Sequence, residues 1–128
     1  MKVIPAIDIR NGKCVRLKKG NFSDITVYSE SPLEQARLFK DNGFDFIHVI
    51  DLDGAKMGER INNRIIDQII NLDTKIQIGG GIRTISEIKN LFNLGVYRVI
   101  LGTAVIENTK FLFEVFSVIS KKNFTISL

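Results

Sequence analysis

The chain has 128 residues, long enough for one ordinary domain with a real core. Its 45% apolar and 25% charged residues are those of a globular protein, and a single cysteine excludes an internal disulfide framework. The net charge of +4 is scattered, with only Lys18-Lys19 and Lys121-Lys122 adjacent among the lysines and no aromatic-rich motif beside them, so an anionic small molecule is expected as partner rather than nucleic acid.

No apolar run approaches the roughly 20 residues that cross a bilayer, and the N-terminus opens directly in a strand pattern without a signal-peptide layout. No membrane association is expected, and the expected location is cytoplasmic.

Residues 2–8 read as a short apolar strand ending in Asp8, and its nearly continuous apolar character predicts a parallel sheet buried on both faces. Pro5 is out of place in such a ladder because it has no N–H to donate. Residues 9–30 read as a long excursion above that strand, partly a small hairpin, with a tight turn at Asn11-Gly12 and a polar loop around Gly20. Arg16 in this excursion is a candidate substrate contact. Cys14 reads as a small apolar filler.

Ser31-Pro32-Leu33-Glu34 opens a helix, with Ser31 as N-cap, Pro32 at N1, Glu34 completing a capping box, and Gly43 past the C-terminus. A second strand runs Phe46 to Asp53 and ends in two carboxylates, Asp51 and Asp53. One is expected to contact substrate while the other caps the following loop, residues 54–58. His48 lies inside this strand, where a histidine is more often packed than catalytic. Ile61, Ile65, Ile66, Ile69 and Ile70 then mark a second helix.

The third strand, Lys75 to Gly79, stops in three glycines, Gly79-Gly80-Gly81, followed by Ile82-Arg83 and a helix start at Thr84. Glycine lets the backbone bend sharply and bring its N–H groups close to a ligand. Ahead of a helix N-terminus, such amides form an anion site, most often for phosphate. Arg83 adds a fork of donors suited to phosphate oxygens. Thr84 with Glu87 forms another capping box, and the helix ends near Gly95. A fourth strand, 97–101, meets Gly102-Thr103, whose amides and hydroxyl are placed to share the same phosphate. Asn108 caps a fourth helix, and residues 124–128 begin a fifth strand.

The order is β-α repeated four times plus the start of a fifth strand. This is an α/β chain, and residues 1–128 are expected to form a single unit, the N-terminal half of a TIM-type (βα)8 barrel. The alternative is an open doubly wound sheet of about five strands. Asp8, Asp51, Gly79 and Gly102 end successive strands, which favours the barrel, and no dinucleotide fingerprint follows the first strand. A half barrel leaves strand edges unpaired, so the chain is expected either to continue past Leu128 or to pair with a second copy.

Four stretches resemble, in order, the N-terminal half of the ProFAR isomerase family of histidine biosynthesis. They are Ile4-Pro5-Ala6-Ile7-Asp8, His48 through Ala55, Gly79-Gly80-Gly81-Ile82-Arg83 and Leu101-Gly102-Thr103-Ala104. The cyclase subunit of imidazole glycerol phosphate synthase shares the half-barrel pattern. That family tends to carry cysteine just before the first aspartate, where this chain has Ala6-Ile7-Asp8, and the His48–Ala55 run also fits the isomerase better.

The resemblance implies an Amadori rearrangement, an aldose-ketose isomerisation of ProFAR to PRFAR on a phosphorylated ribose substrate with two phosphates. It implies Asp8 as general base, a general acid just beyond Leu128, and a phosphate site at Gly80, Gly81, Arg83, Gly102 and Thr103. Neither metal nor cofactor is expected. A complete barrel is expected to be a monomer and a true half to self-associate. A catalytically incomplete phosphate-binding half barrel is the competing reading.

Overall fold

The computed structural model describes residues 1–119 and 124–127; the Lys121-Lys122 pair and the Leu128 end of the fifth strand lie outside the described residues. One sheet of seven strands carries every strand described: β1 (Ala6–Arg10), β2 (Lys13–Lys18), β3 (Asn21–Ser29), β4 (Phe46–Asp51), β5 (Lys75–Gly79), β6 (Arg98–Leu101) and β7 (Phe124–Ile126). The helices are α1 (Pro32–Asp41), α2 (Leu52–Met57), α3 (Asn63–Ile70), α4 (Ile85–Asn93), α5 (Thr103–Glu107) and α6 (Thr109–Val118).

The strand order is β3-β2-β1-β4-β5-β6-β7, with β1, β4, β5, β6 and β7 parallel to their neighbours and β1-β2-β3 antiparallel. The parallel strands therefore lie side by side in chain order. A doubly wound sheet reverses its order at a switch point, and this sheet does not.

The two faces of the sheet differ. Along each strand successive side chains point to opposite faces. Ile7 and Ile9, Ile47 and Val49, Ile76 and Ile78, Val99 and Leu101 form one face and are 0% exposed. They join Ala36, Ile66, Ile69, Ile88, Leu91 and Val115 of the helices in a single core. The other face, which the register places at Ala6, Asp8, His48, Ile50, Gln77, Arg98, Ile100 and Thr125, has no helix of its own and is only partly covered. Coverage on one face only, with strands in chain order, is the arrangement of the N-terminal half of a (βα)8 barrel. Of the two buried faces expected, one is covered by the helices and the other is only partly covered in this chain, where Ala6, Ile50 and Ile100 stand beside Asp8, His48, Gln77 and Arg98.

Several local expectations shift. The first strand starts at Ala6, leaving Pro5 ahead of the ladder, and continues to Arg10, so Asp8 is interior to β1 rather than at its end. The extension exists because β2 folds back against it, pairing Asp8 with Val15 and Arg10 with Lys13. Both hairpin turns use left-handed residue pairs, Asn11-Gly12 and Lys19-Gly20, the geometry of two-residue turns matched to strand twist. The expected small hairpin at Asn11-Gly12 is present, and a second at Lys19-Gly20 orders most of the rest of residues 9–30.

Ser31 accepts from the Glu34 amide, but Glu34 turns to Arg37, so only half of the first capping box forms. At Thr84 both halves are present. The expected loop 54–58 is mostly the short helix α2.

That helix begins at Asp51, the only polar residue in the buried set among the described residues, at 0% exposed. One carboxylate oxygen accepts from the Gly54 amide at 2.9 Å and the Asn62 side chain at 2.7 Å. The other accepts from the amides of Ile61 at 2.8 Å and Asn62 at 3.0 Å. A buried carboxylate is tolerated only with such donors, and here it ties the start of α2 to the segment leading into α3. Asp51→Ala would leave the backbone N–H groups of Gly54, Ile61 and Asn62 without this acceptor and remove one of the two acceptors of the Asn62 carboxamide. The expected loss is about 3–5 kcal/mol of unfolding free energy in a urea titration, and a loss under about 1 kcal/mol would contradict this role.

Candidate active site

The partly covered face of the sheet is layered by the strand register. Phe46 is its floor, 4% exposed, with the Lys2 ammonium 4.9 Å and the Arg98 guanidinium 5.7 Å from its ring centroid. Tyr97 meets Phe46 edge-on at 5.5 Å and takes Lys75 at 5.0 Å. Such cation–ring contacts hold the long side chains down over the aromatic floor.

One pleat higher, His48 of β4 lies between Ala6 of β1 and Gln77 of β5. The Gln77 carboxamide nitrogen is 2.6 Å from His48 Nδ1. The next layer is Asp8, Ile50, Gly79, Ile100 and Thr125, one residue from each parallel strand.

Asp8 is half-buried. Burial pushes its carboxyl above the usual carboxylate range, while His48 and Arg16 pull the other way. Burial also lowers the His48 imidazole, opposed by the charge of Asp8. Arg16 reaches this corner from β2, its guanidinium 5.4 Å from the centre of the Tyr28 ring on β3. Asp8, Arg16 and Tyr28 line one cleft of about 510 Å³ beside Pro5, Gln35 and Phe39. Tyr28, which no sequence signal marks, has its hydroxyl pushed up to about 12, chiefly by burial and then by the neighbouring Cys14 and Asp8. Cys14 is buried at 0% exposed, as expected of a filler.

The glycine turn forms the second region. Gly80, Gly81 and Arg83 line one cavity of about 170 Å³ with Gly102, Thr103 and Ala104, floored by Ile50, Gly79 and Ile100. The expected phosphate residues are therefore brought together. Asp8 lies on the same face, two strands from Gly79, or about 10 Å at the usual strand spacing.

The reason for the glycines is partly different from the expected one. Gly80 has φ 101°, and a Cβ there would stand 2.2 Å from the Asp51 carbonyl oxygen; at Gly81, φ 74°, it would stand 2.7 Å from the Glu59 carbonyl carbon. The turn needs glycine to fit against the backbone of the preceding βα loop, whatever it binds. The N-terminus of α4 is also not open. The Glu87 carboxylate accepts from the amides of both Arg83 and Thr84, so the helix supplies its own anion. What faces the cavity is the glycine turn itself and the Gly102–Ala104 corner.

Arg83 is exposed and pairs through Nη1 with Glu107 at 3.1 Å, while its Nε lies close beside Gly58. Asp51 is corrected as a substrate contact, because both of its oxygens are engaged and no part of it is exposed. Asp53 is engaged mainly through one oxygen, Oδ2, which accepts from the Asn11 amide at 2.7 Å and the Asn62 side chain at 2.9 Å, while Oδ1 lies 4.0 Å from Arg10 Nε. Both carboxylates fasten loops. Sequence reasoning missed Gln77; the available signal was a lone polar residue between Ile76 and Ile78, on the pleat opposite the core. Among the described residues no cluster of three His, Cys, Asp or Glu side chains is arranged to hold a metal ion. Among the same residues no helix is long and apolar enough to cross a membrane.

Comparison with known proteins supports the half-barrel fold. The family described as "Histidine biosynthesis protein" matches residues 2–128. A relative from Lachnoclostridium phytofermentans is 48% identical over 118 residues, 91% of this chain and 49% of that protein. One from Pelagibacter ubique is 51% identical over 115 residues, 89% of this chain and 48% of that protein. One from Oceanobacillus iheyensis is 50% identical over 113 residues, covering 88% and 47%. All three are named as isomerases of an imidazole-4-carboxamide bearing two phosphoribosyl groups. The chain spans about half the length of these relatives. With a family match along nearly its whole length, the chain belongs to the histidine biosynthesis protein family.

Proposed function

We propose that this chain is part of an aldose-ketose isomerase carrying out the Amadori rearrangement of ProFAR to PRFAR, with Asp8 as general base. The observation that carries the reading is the placement of a half-buried carboxyl with a raised pKa on the same sheet face as a glycine-walled cavity suited to a phosphate. The isomerase names of the relatives support it.

The chemistry asks for two proton transfers. An acid protonates the ribose ring oxygen as its bond to C1 breaks, and the nitrogen lone pair forms a C1=N iminium. The base takes the proton from C2, and that electron pair forms C1=C2 while neutralising the iminium. Tautomerisation of the enol at C2 then gives the aminoketose. A carboxylate raised above its ordinary range is a better base than a free one, provided that it is ionised at working pH. The acid is expected just beyond Leu128, outside this sequence.

The phosphate is assigned to Gly80, Gly81, Gly102 and Thr103, with Arg83 closing over it after leaving Glu107. Arg16, beside Asp8, is assigned to the substrate near the reacting carbon. Neither Asp51 nor Asp53 is assigned to substrate. Cytoplasmic location and a monomeric complete barrel go with this reading. The competing reading, a phosphate-binding half that self-associates, shares the cavity and differs in having no turnover.

In a complete barrel carrying this segment, Asp8→Asn is expected to lower kcat by roughly 10²–10⁴ with KM little changed. Near-parental turnover would remove Asp8 from the role of base. Arg83→Ala is expected to raise KM about tenfold with kcat retained, as loss of a uniform binding contact does. In the parent, kcat is expected to fall as pH drops through an Asp8 pKa lying above the unfolded 3.8.

The same shift makes a stability prediction. The folded state holds the Asp8 proton to higher pH than the unfolded chain, so this group's contribution to stability declines as pH rises from 3.8 through the folded pKa. Asp8→Asn is therefore expected to melt higher than the parent at pH 7, with the gain vanishing below pH 3.8. Thermal melts at the two pH values decide it.

A further inference from the structure

His48 is the only histidine in the chain, and the proposed chemistry makes no use of it. It is partly buried on the same sheet face as Asp8, one pleat below and one strand across. Its Nδ1 is 2.6 Å from the Gln77 side-chain nitrogen. An amide N–H can only donate, so Nδ1 is the acceptor, and in the neutral ring the proton then belongs to Nε2. Gln77 is held in place as a strand residue, with Ile76 and Ile78 on either side at 0% exposed. Ala6, opposite His48 on β1, has too small a side chain to fill the space beside the ring.

We propose that Gln77 is a positioning residue that holds His48 in the neutral, Nε2-protonated form, making it a hydrogen-bond donor beside Asp8 rather than a cation. The catalytic value of this arrangement rests on the reading of Asp8 as the base. A cation there would favour the ionised carboxylate and weaken it as a base, whereas a neutral donor orients it and leaves it basic.

The charged groups around the ring fit the assignment. From β1, Asp8 attracts a proton to the imidazole. From β5, Gln77 offers only its N–H to Nδ1 and would have to break that bond before Nδ1 could be protonated. From β6, the Arg98 guanidinium is turned down onto the rings of Phe46 and Tyr97, and no residue of that strand carries a negative charge. From β2, Arg16 adds a further positive charge near Asp8. Burial also opposes the imidazolium. Asp8 alone favours it.

Long-range ¹H–¹⁵N correlation of the imidazoles in a uniformly labelled complete barrel carrying this segment, with the His48 signals assigned by their loss in His48→Asn, reads tautomer and titration without substrate. The expected result at neutral pH is a protonated Nε2 and an unprotonated Nδ1. A protonated Nδ1 in the parent would overturn the proposal with no mutation needed.

Gln77→Leu is expected to lose the preference and give both tautomers. Gln77→Glu, which presents an acceptor and a charge, is expected to move the proton to Nδ1 and raise the titration midpoint by about one pH unit or more. A tautomer unchanged in both variants would overturn the role of Gln77. Asp8→Asn is expected to lower the His48 midpoint, and an unchanged midpoint would overturn the link between His48 and Asp8. None of these readings depends on turnover, so failure of the isomerase assignment would show separately, in the kinetic assay.

Discussion

The Asp51 carboxylate is the constraint on which the rest of the site depends. It stands at the end of β4, where the strand must give way to a helix and the next βα unit must begin. Four donors converge on it, from Gly54, Ile61 and Asn62, so one buried charge fixes the start of α2 and the approach to α3. Its own backbone then serves as the wall against which Gly80 turns, close enough that a Cβ would meet the Asp51 carbonyl. The glycine turn and the loop beneath it are thus one object, held from below by a carboxylate with no free valence. Asn62 extends the clasp to Asp53, and Asp53 to the Asn11 turn of the first hairpin.

Most of the architecture is legible in the sequence because strand and helix periods are local. Thr84 with Glu87, Asn108 before Phe111, and Ile65, Ile66, Ile69 and Ile70 declare themselves by spacing alone, and the structure keeps them, while Ile61 falls ahead of α3 and is exposed. Misreadings cluster where a long-range partner decides the outcome. Residues 9–30 become strands only because β2 finds the edge of β1. Asp51 becomes a clasp only because Ile61 and Asn62 come back to it ten and eleven residues later. Gly54 to Met57 becomes helical because that clasp caps it.

The site follows the same division. Asp8 of the first strand, Arg16 of the excursion after it and the strand-end glycines were recognisable as residue types, and the structure gathers Asp8 with Arg16 in one place and the glycines in another. Their local partners were not legible. Glu87 turning back onto the amides of Arg83 and Thr84, and Arg83 turning to Glu107, are side-chain choices that the spacing leaves open. Gln77 is the clearest omission. It looks like a tolerated polar residue in an isoleucine strand, and becomes meaningful only when register sets it beside His48.

The period of two along each strand is what lets stability and chemistry share the same few residues. On β4 the order Ile47, His48, Val49, Ile50 sends alternate side chains to the helix-covered core and to the polar face. On β5, Ile76, Gln77, Ile78 and Gly79 do the same. A register slip of one residue would bury Gln77 or His48 among isoleucines and expose the core, so the hydrophobic face itself enforces the His48–Gln77 pairing. The polar row is therefore aligned by forces that do not act on it directly. A carboxyl with a raised pKa at Asp8 tends to destabilise the fold when ionised, and a fully packed apolar face opposite is what allows that cost to persist at the position proposed for the base.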